Sequence, residues 1–452
     1  MTSVYVKTLG CKVNTFDSQV LENQFRKEGY AVVDSAAGAD IAIVNTCSVT
    51  ANAEKEARYW LRRFRRENPS GMRIVTGCYA QINSARLAEL DDVDFVVPNE
   101  AKERLVTLVG ERLSSPEKQG DSKLAPGVQP VLDNKQGHFK SALTLFDTPR
   151  SSRTRAFVKI QDGCNGFCAY CQIPYARGAS RSVPPDVVLT KVGELAREGV
   201  SELVFTGIHI GDYGEDLSPV TSFSQLLAQV LGIEGIKRLR ISSLEPAEVS
   251  REMLELLAAH SSIVCDHFHL PLQSGHDRIL HLMRRKYTTS AYAETLRMIR
   301  EYFPQAQISA DVICGFPGES EDEFRATMAF IESCGLGSLH VFPYSARPNT
   351  AALRMPGHLP PEIIKTRVAE LKKLSHELHH RYASAFIGSI QPVLWEGSSE
   401  SKDYFVGKTP NYLQVCVPKS DHPSLQPGSI SPAKLMGFWA PQMILAKPEL
   451  ER

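Results

Sequence analysis

Cys164, Cys168 and Cys171, in the run DGCNGFCAYCQIPYARG, form a C-x3-C-x2-C triplet. Soft thiolates select iron-sulfur clusters, zinc or monovalent copper. Three thiols suit neither a disulfide framework nor a closed tetrahedral zinc site. A four-iron cluster held by three cysteines keeps one iron open, and that open corner is the working position. S-adenosylmethionine fills such a corner through its amino and carboxylate groups, bringing its sulfonium close enough to accept an electron and lose a C–S bond. The competing assignment is a structural zinc completed by a distant histidine, for which His209, His267 and His269 are available.

A second set is spread along the chain. Cys11 follows VYVKTLG, Cys47 follows IAIVNT and Cys78 follows RIVTG, at separations of 36 and 31 residues. Each interval is about one βαβ repeat. In a parallel sheet the three strand ends share one edge, where such folds place ligands. Helical stretches follow, and helix N-terminal amides favour an anionic cluster, with Asn14, Asn45 and Thr46 as polar neighbours. Three unrelated buried thiols are the bland alternative.

The elements that must position these cysteines are legible as an α/β chain in three parts. Residues 1–112 alternate apolar runs with amphipathic stretches in the order β-α-β-α-β, which predicts a parallel sheet. Residues 113–150, rich in Pro, Gly, Ser and Lys, read as a linker. From 151 to 384, the runs AFVKI, ELVFTGI, RLRISS, HFHLPL, ISADVICG and SLHVFPYS each precede a helical stretch. Six such units predict a partial (β/α)6 barrel with chemistry at the strands' C-terminal ends, closed by a helix over 361–384. Short strand-like segments over 385–448 predict a small antiparallel barrel.

At 452 residues the chain is long enough for several cores, and 42% hydrophobic with 23% charged residues is ordinary for globular proteins. The absence of a long apolar run argues against a membrane span, and the start MTSVYVKTLGCKVN lacks an export signal. A reducing, cytoplasmic setting is expected, in which ten cysteines serve as metal ligands or buried thiols. The 51 basic side chains balance the 51 acidic ones, which excludes a globally basic nucleic-acid binder. Local patches remain. Residues 150–181 carry Arg150, Arg153, Arg155, Lys159, Arg177 and Arg181 against Asp162. Residues 54–73 add Lys55, Arg58, Arg62, Arg63, Arg65, Arg66 and Arg73 against three glutamates. Together they suggest a phosphate path. Without a heptad or apolar stripe, a monomer is the default.

The chain resembles the radical SAM superfamily in GCNGFCAYCQIPYARG, and its methylthiotransferases in TLGCKVN, NTCSVT and TGCYAQ. FTGIHIGDYGED, HLPLQSGHDRIL, DVICGFPGESEDEF and HVFPYSARPNTAA extend the likeness, and VLWEG with YFVGKTPNYLQV resembles an RNA-binding TRAM domain. LGCKVN, GCN and IPYARG are similar to the MtaB-type branch, associated with threonylcarbamoyladenosine beside the tRNA anticodon. The resemblance implies two 4Fe-4S clusters and S-adenosylmethionine. Cys164, Cys168 and Cys171 hold the cluster that generates a 5′-deoxyadenosyl radical. Cys11, Cys47 and Cys78 hold an auxiliary cluster carrying the sulfur to be methylated and inserted. It also implies tRNA as substrate, a flavodoxin or ferredoxin as electron donor, and a sulfur donor that the sequence leaves unidentified.

Within that frame, Tyr170 is read either as packing on the cosubstrate adenine or as a core aromatic, and Gly207 and Gly211 as admitting the methionine moiety. Ser242, Ser243, Glu245, Gln273, Asp311 and Gly315 lie near strand ends as pocket residues. His267 and His269 read as satisfied barrel histidines, and Cys265, Cys314, Cys334 and Cys416 as buried thiols. Tyr404, Phe405 and Tyr412 read as barrel core before base-stacking platforms. Asn349 stands where the family commonly has Gly, and Cys314 where an aliphatic residue is usual. The alternatives are isopentenyladenosine or a ribosomal-protein aspartate as substrate, and a non-catalytic zinc RNA-binding module.

Overall fold

A computed structural model describes residues 1–114, 123–125, 154–397, 403–422 and 424–449. It divides into two compact units. The first holds the described residues up to 125 with Gln161–Val183 and Ser345–Leu353; the second holds 154–160, Pro184–Tyr344 and the described residues from Arg354 onward.

The first unit begins β1 (Ser3–Thr8), α1 (Lys12–Lys27), β2 (Ala31–Val32), β3 (Ile41–Thr46), α2 (Ala51–Glu67) and β4 (Met72–Gly77). It continues with α3 (Cys78–Ile82), α4 (Ser84–Ala88), β5 (Phe95–Pro98) and α5 (Leu105–Ser114). The strands form one sheet in the order β2-β1-β3-β4-β5, every pair parallel. Central β3 is buried throughout. Its Ile41 and Ile43 join Ile74 in one core, while Ala42 and Val44 join Val75 in the other, as the twofold alternation of a strand requires. The predicted β-α-β-α-β order is present, with two further strands. β2 and β5 span only two and four residues, too short to show a period. Within the segment read as a linker, Lys123–Ala125 runs beside β5, with Val96 N–H donating to Lys123 O at 2.7 Å and Ala125 N–H to Val96 O at 3.0 Å. The remainder of 115–150 lies outside the described residues, as do Arg150 and Arg153.

The chain next forms β6 (Arg155–Lys159) in the second unit, then β7 (Gln161–Asp162), α6 (Ile173–Arg177) and β8 (Arg181–Ser182) in the first. Six predicted strands are all found in the second unit. After β6 come α7 (Pro185–Arg197), β9 (Glu202–Thr206), α8 (Phe223–Leu231), β10 (Leu239–Ile241), α9 (Arg251–Ala259), β11 (His267–His269), α10 (Asp277–Leu282) and α11 (Thr289–Tyr302). They are followed by β12 (Gln307–Cys314), α12 (Glu321–Ser333), β13 (Ser338–Pro343) and α13 (Pro361–Ser384). β6-β9-β10 and β11-β12-β13 are parallel sheets, and the bridges Leu239↔Val264 and Ser243↔His269 join them. The result is a partial barrel in chain order. Local signals agree with it: α8 and α12 open with capping boxes, Ser222 with Gln225 and Ser320 with Glu323.

β14 (Ile390–Glu396), β15 (Tyr404–Lys408), β16 (Gln414–Pro418), β17 (Ile430–Ala440) and β18 (Met443–Pro448) close a five-stranded barrel. Four of its pairings are antiparallel, but β16 and β18 close it in parallel. β18 went unread because MILAKP has few polar positions to mark alternation. This barrel is tied to the partial one by buried charge. Arg240 forks onto Glu202 with both N···O distances 3.0 Å and donates to Pro410 O at 2.8 Å. Arg238 donates to Pro392 O at 2.6 Å. Tyr412 stacks on His267 with centroids 4.6 Å apart and lies under the Arg240 guanidinium. Tyr412, read as barrel core, is instead half-buried at this junction, while Phe405 packs against the barrel core.

Burial alone raises the Glu202 carboxyl, but Arg240, Arg155 and Arg238 outweigh it and hold it below the ordinary range. Such a depressed carboxylate stabilises the fold fully above the unfolded glutamate value of about 4.3, and the gain is lost as pH falls through the lowered folded value. Arg240→Ala leaves the carboxylate buried without its fork and is expected to cost about 3–5 kcal/mol, read as a fall in urea midpoint at pH 7. Asn349 adopts φ of 65°, the left-handed region that Asn tolerates better than other side chains, which accounts for its standing in a glycine position. Asn349→Gly is expected to leave the thermal midpoint nearly unchanged, whereas Asn349→Val is expected to cost about 1–2 kcal/mol.

Candidate metal centres

All six candidate cluster cysteines belong to the first unit. In-register pairing carries β1, β3 and β4 to a common edge, with Thr8 opposite Asn45 and Thr46 opposite Gly77. Cys47 and Cys78 follow at once, and Cys11 caps α1. Gly10 turns with φ of 92°, and a Cβ there would stand 2.9 Å from Cys47 Sγ and 3.5 Å from Asn14 Nδ2. Asn14 donates to Leu9 O at 2.8 Å and Thr46 O at 3.0 Å, bracing the turns before Cys11 and Cys47. Asn45 Nδ2 returns to Asn14 O at 2.9 Å. Cys47 and Cys78 are buried and Cys11 is exposed. Asn99 Nδ2 lies 3.7 Å from Cys78 Sγ and donates to Ala176 O at 2.8 Å. Burial, then the Cys78 thiol, push Cys47 up to about 12, with Arg177 acting in the opposite sense. Thiols that raise one another in this way lose their protons together only beside strong positive charge, which a metal centre supplies.

In the second loop Gly163, at φ of 74°, lets β7 and β8 close: a Cβ there would meet Ala179 O at 2.0 Å. Cys164 N–H then reaches Gly178 O at 3.1 Å, and Cys171 N–H reaches Cys168 O at 2.9 Å. Gly166 N–H lies 3.2 Å from Cys164 Sγ, and Ile173 N–H lies 3.4 Å from Cys171 Sγ. These N–H groups aimed at sulfur fit thiolate ligands of a cluster, and the three thiols are half-buried. Tyr170, which lies between Cys168 and Cys171 in sequence, is half-buried. Ala352 N–H to Ala169 O and Gln172 Nε2 to Pro348 O, both 2.8 Å, hold the loop from its other side.

A network between these elements was missed in sequence. Arg177, on α6, donates from Nη1 to both Asp162 oxygens at 3.0 and 3.1 Å, and from Nη2 to Asn14 Oδ1 at 2.5 Å and Asp17 Oδ2 at 3.3 Å. Lys102 Nζ joins Asp17 at 3.2 Å and Asn45 Oδ1 at 3.3 Å. The signal was available: Asp17 lies one turn from Val13 and Leu21 on the apolar face of α1.

That network corrects the phosphate path expected at 150–181. Arg177 and Lys159 are buried, and Arg155 pairs with Glu396 at 2.6 Å. Arg181 donates to Arg177 O at 2.9 Å and Ala179 O at 2.8 Å. Arg73 is likewise buried on Asp94. Among the described residues, α2 alone keeps the expected character, with Lys55, Arg62, Arg65 and Arg66 exposed.

Apart from Tyr170, the cosubstrate candidates lie in the second unit, on or shortly after its strands. Gly207 follows β9, and Gly211 packs so closely on Glu248 that a Cβ would fall 1.8 Å from its Cδ. This contact gives Gly211 a packing reason of its own. Ser242 is buried, Ser243 is exposed, and Glu245 is ion-paired with Arg285. Gln273, at φ of 67°, donates its N–H to Asp311 O at 2.7 Å. Gly315 N–H donates to Glu319 Oε2 at 2.8 Å.

His269 is a satisfied histidine, as read: its Nε2 is 3.2 Å from Asp311 Oδ1, its Nδ1 is 2.9 Å from Ser309 Oγ, and His340 converges with them, while His267 Nε2 is 3.3 Å from the same hydroxyl. His209 lies between Asp212 at 2.8 Å and Glu248 at 2.6 Å. Both ring nitrogens of His209 and of His269 are thus engaged inside the second unit, which weakens the zinc reading. Cys265, Cys314, Cys334 and Cys416 are buried thiols as expected.

Residues 158–331 match the radical SAM superfamily, and residues 3–98 match the uncharacterized protein family UPF0004. A threonylcarbamoyladenosine tRNA methylthiotransferase MtaB of Bacillus subtilis (strain 168) is 38% identical over 92% of this chain and 90% of its own. One of Aquifex aeolicus (strain VF5) is 39% identical over 84% and 89%. A tRNA-2-methylthio-N(6)-dimethylallyladenosine synthase of Pelotomaculum thermopropionicum is 33% identical over 90% and 89%. Among solved structures, the radical S-adenosylmethionine methyltransferase TsrM of Kitasatospora setae, with cobalamin and a [4Fe-4S] cluster bound, shares the fold at a TM-score of 0.55 and 14% identity, covering 78% of this chain and 77% of that one. Two cysteine triplets braced within one α/β unit, and relatives matching across nearly the whole length, place the chain in the radical SAM tRNA methylthiotransferase family.

Proposed function

We propose that the chain attaches a methylthio group to carbon 2 of N6-threonylcarbamoyladenosine at position 37 of tRNA. The observation that carries this reading is the arrangement of both triplets in one unit, each with N–H donors aimed at its sulfurs. The substrate assignment is supported by identities of 38% and 39% to relatives named for threonylcarbamoyladenosine, against 33% to one named for dimethylallyladenosine. When bound, the centres supply an electron for cleaving S-adenosylmethionine and a sulfur for insertion. An unactivated C–H bond at carbon 2 offers no acidic proton to a base, so hydrogen-atom abstraction is the fitting route.

The chain's own residues hold and orient. Cys164, Cys168 and Cys171 hold one cluster and Cys11, Cys47 and Cys78 the other, while Tyr170 packs on the cosubstrate adenine. Residues 1–112 carry the auxiliary site, 151–384 the radical core and 385–448 a TRAM-type barrel. α2 serves the RNA: its exposed Arg62, Arg65 and Arg66 accompany Tyr59, which is 54% exposed, and Trp60, which lies under Lys7 and Arg63. Cations beside aromatic faces suit a phosphate backbone with unstacked bases.

Anaerobic reconstitution is expected to give about eight irons per chain, falling to about four when Cys11, Cys47 and Cys78 become Ala. Zinc in place of iron, with no 5′-deoxyadenosine formed from S-adenosylmethionine and reductant, contradicts the assignment. Nucleoside mass spectrometry of tRNA from a deletion strain is expected to lose 2-methylthio-N6-threonylcarbamoyladenosine; loss of the dimethylallyl derivative instead moves the substrate to the other branch. Arg62→Glu with Arg66→Glu is expected to weaken tRNA binding and to shallow its dependence on log salt by about 2 in slope.

A further inference from the structure

Four ionic side chains, Asp162, Arg177, Asp17 and Lys102, are buried side by side beside the auxiliary thiols, each at most 9% exposed. Burying four charges is costly, and exchange for apolar residues is often neutral or favourable. Their retention here has a geometric counterpart. Arg177 holds Asn14, which braces the turns before Cys11 and Cys47. Its neighbour Ala176 is held by Asn99, whose amide also faces Cys78. Burial opposes the guanidinium's charge, but Asp162, then Cys78, Asp17 and Cys11, outweigh it and keep Arg177 well above its ordinary value.

Resting on the function proposed above, we infer that Arg177 is an electrostatic positioning residue of the auxiliary centre. Its guanidinium, aimed by Asp162, Asn14 and Asp17, offsets the negative charge that a three-thiolate cluster brings into a buried site, and so raises that centre's reduction potential. Asp17 acts in the opposite sense. It sets how much of the Arg177 and Lys102 charge the centre feels, because one carboxylate oxygen is shared between the two cations. Net charge and hydrogen bonding at the sulfurs are the protein's levers on cluster potential. No step of substrate chemistry is assigned to Arg177.

The test uses the full chain with Cys164, Cys168 and Cys171 replaced by Ala and reconstituted anaerobically, so that only the auxiliary centre is titrated by electron paramagnetic resonance. Arg177→Gln is expected to lower the midpoint by at least about 59 mV, a tenfold fall in the one-electron reduction constant. Arg177→Lys is expected to stay near the parent, and Asp17→Asn to shift the midpoint upward. A purely structural role predicts iron loss or broadened signals in both Arg177→Gln and Asp17→Asn, without opposite shifts. Unchanged midpoints, or shifts of one sign with iron retained, overturn the inference. If Arg177→Gln fails to fold, the upward shift in Asp17→Asn against an unmoved Arg177→Lys carries the test. Parent protein that binds no cluster overturns the functional reading and this inference together. Opposite shifts alongside an unaltered tRNA nucleoside profile leave the inference standing and remove only the substrate.

Discussion

Register is the constraint on which the first unit depends. Parallel pairing takes β1, β3 and β4 to a common edge, so residues 36 and 31 apart along the chain become neighbours without any local sequence bringing them together. A slip of one residue in a parallel strand reverses which side chains face each core. Here Ile41 and Ala42, adjacent in sequence, belong to opposite cores, and exchanging them is opposed by both. The thiols therefore inherit their placement from aliphatic packing far from any metal. The sheet order 2-1-3-4-5 adds a second condition: Cys11 and Cys47 follow the two strands between which the winding reverses, where open α/β sheets form a crevice.

The edge by itself leaves the turns underdetermined. Asn14 and Asn45 each bond to backbone of another turn, converting two loops into one braced surface. The Asp162, Arg177, Asp17 and Lys102 set then joins α6 to α1, with each cation touching carboxylate and amide oxygens together. Such a set is a poor source of net stability. It is a good source of geometry, because a guanidinium fork accepts few orientations of its partners. That distinction explains why the network borders a candidate reactive site while the two sheet cores are apolar.

Much of this was legible in the residues. Six β/α units, the closing helix at Pro361–Ser384 and the positions of both cysteine sets follow from period, spacing and turn residues. What escaped has identifiable causes. β2 and β5 are shorter than the window in which alternation appears. Lys123–Ala125 sits in a stretch whose composition signals a linker, yet its backbone pairs with Val96, and backbone pairing leaves little trace in composition. Asp311 and His340 converge on His269 from two other strands, and tertiary pairing of that kind is invisible along one chain.

Charge was the least legible property, for a physical reason. A basic run in sequence carries no address: it becomes a phosphate surface if it faces water, and a set of internal clamps if it faces carboxylates. Arg155, Arg177, Arg238 and Arg240 all took the second course. Arg240 matches its planar fork to one carboxylate and Arg238 to two backbone carbonyls, and guanidinium is more weakly hydrated than ammonium, which lowers the cost of burial. α2 took the first course because its apolar positions Ala57, Leu61 and Phe64 are confined to one stripe, which commits the remaining arginines to the outside. Net charge along a segment thus identifies an RNA-facing surface only after helical period has shown which side chains the core has already claimed.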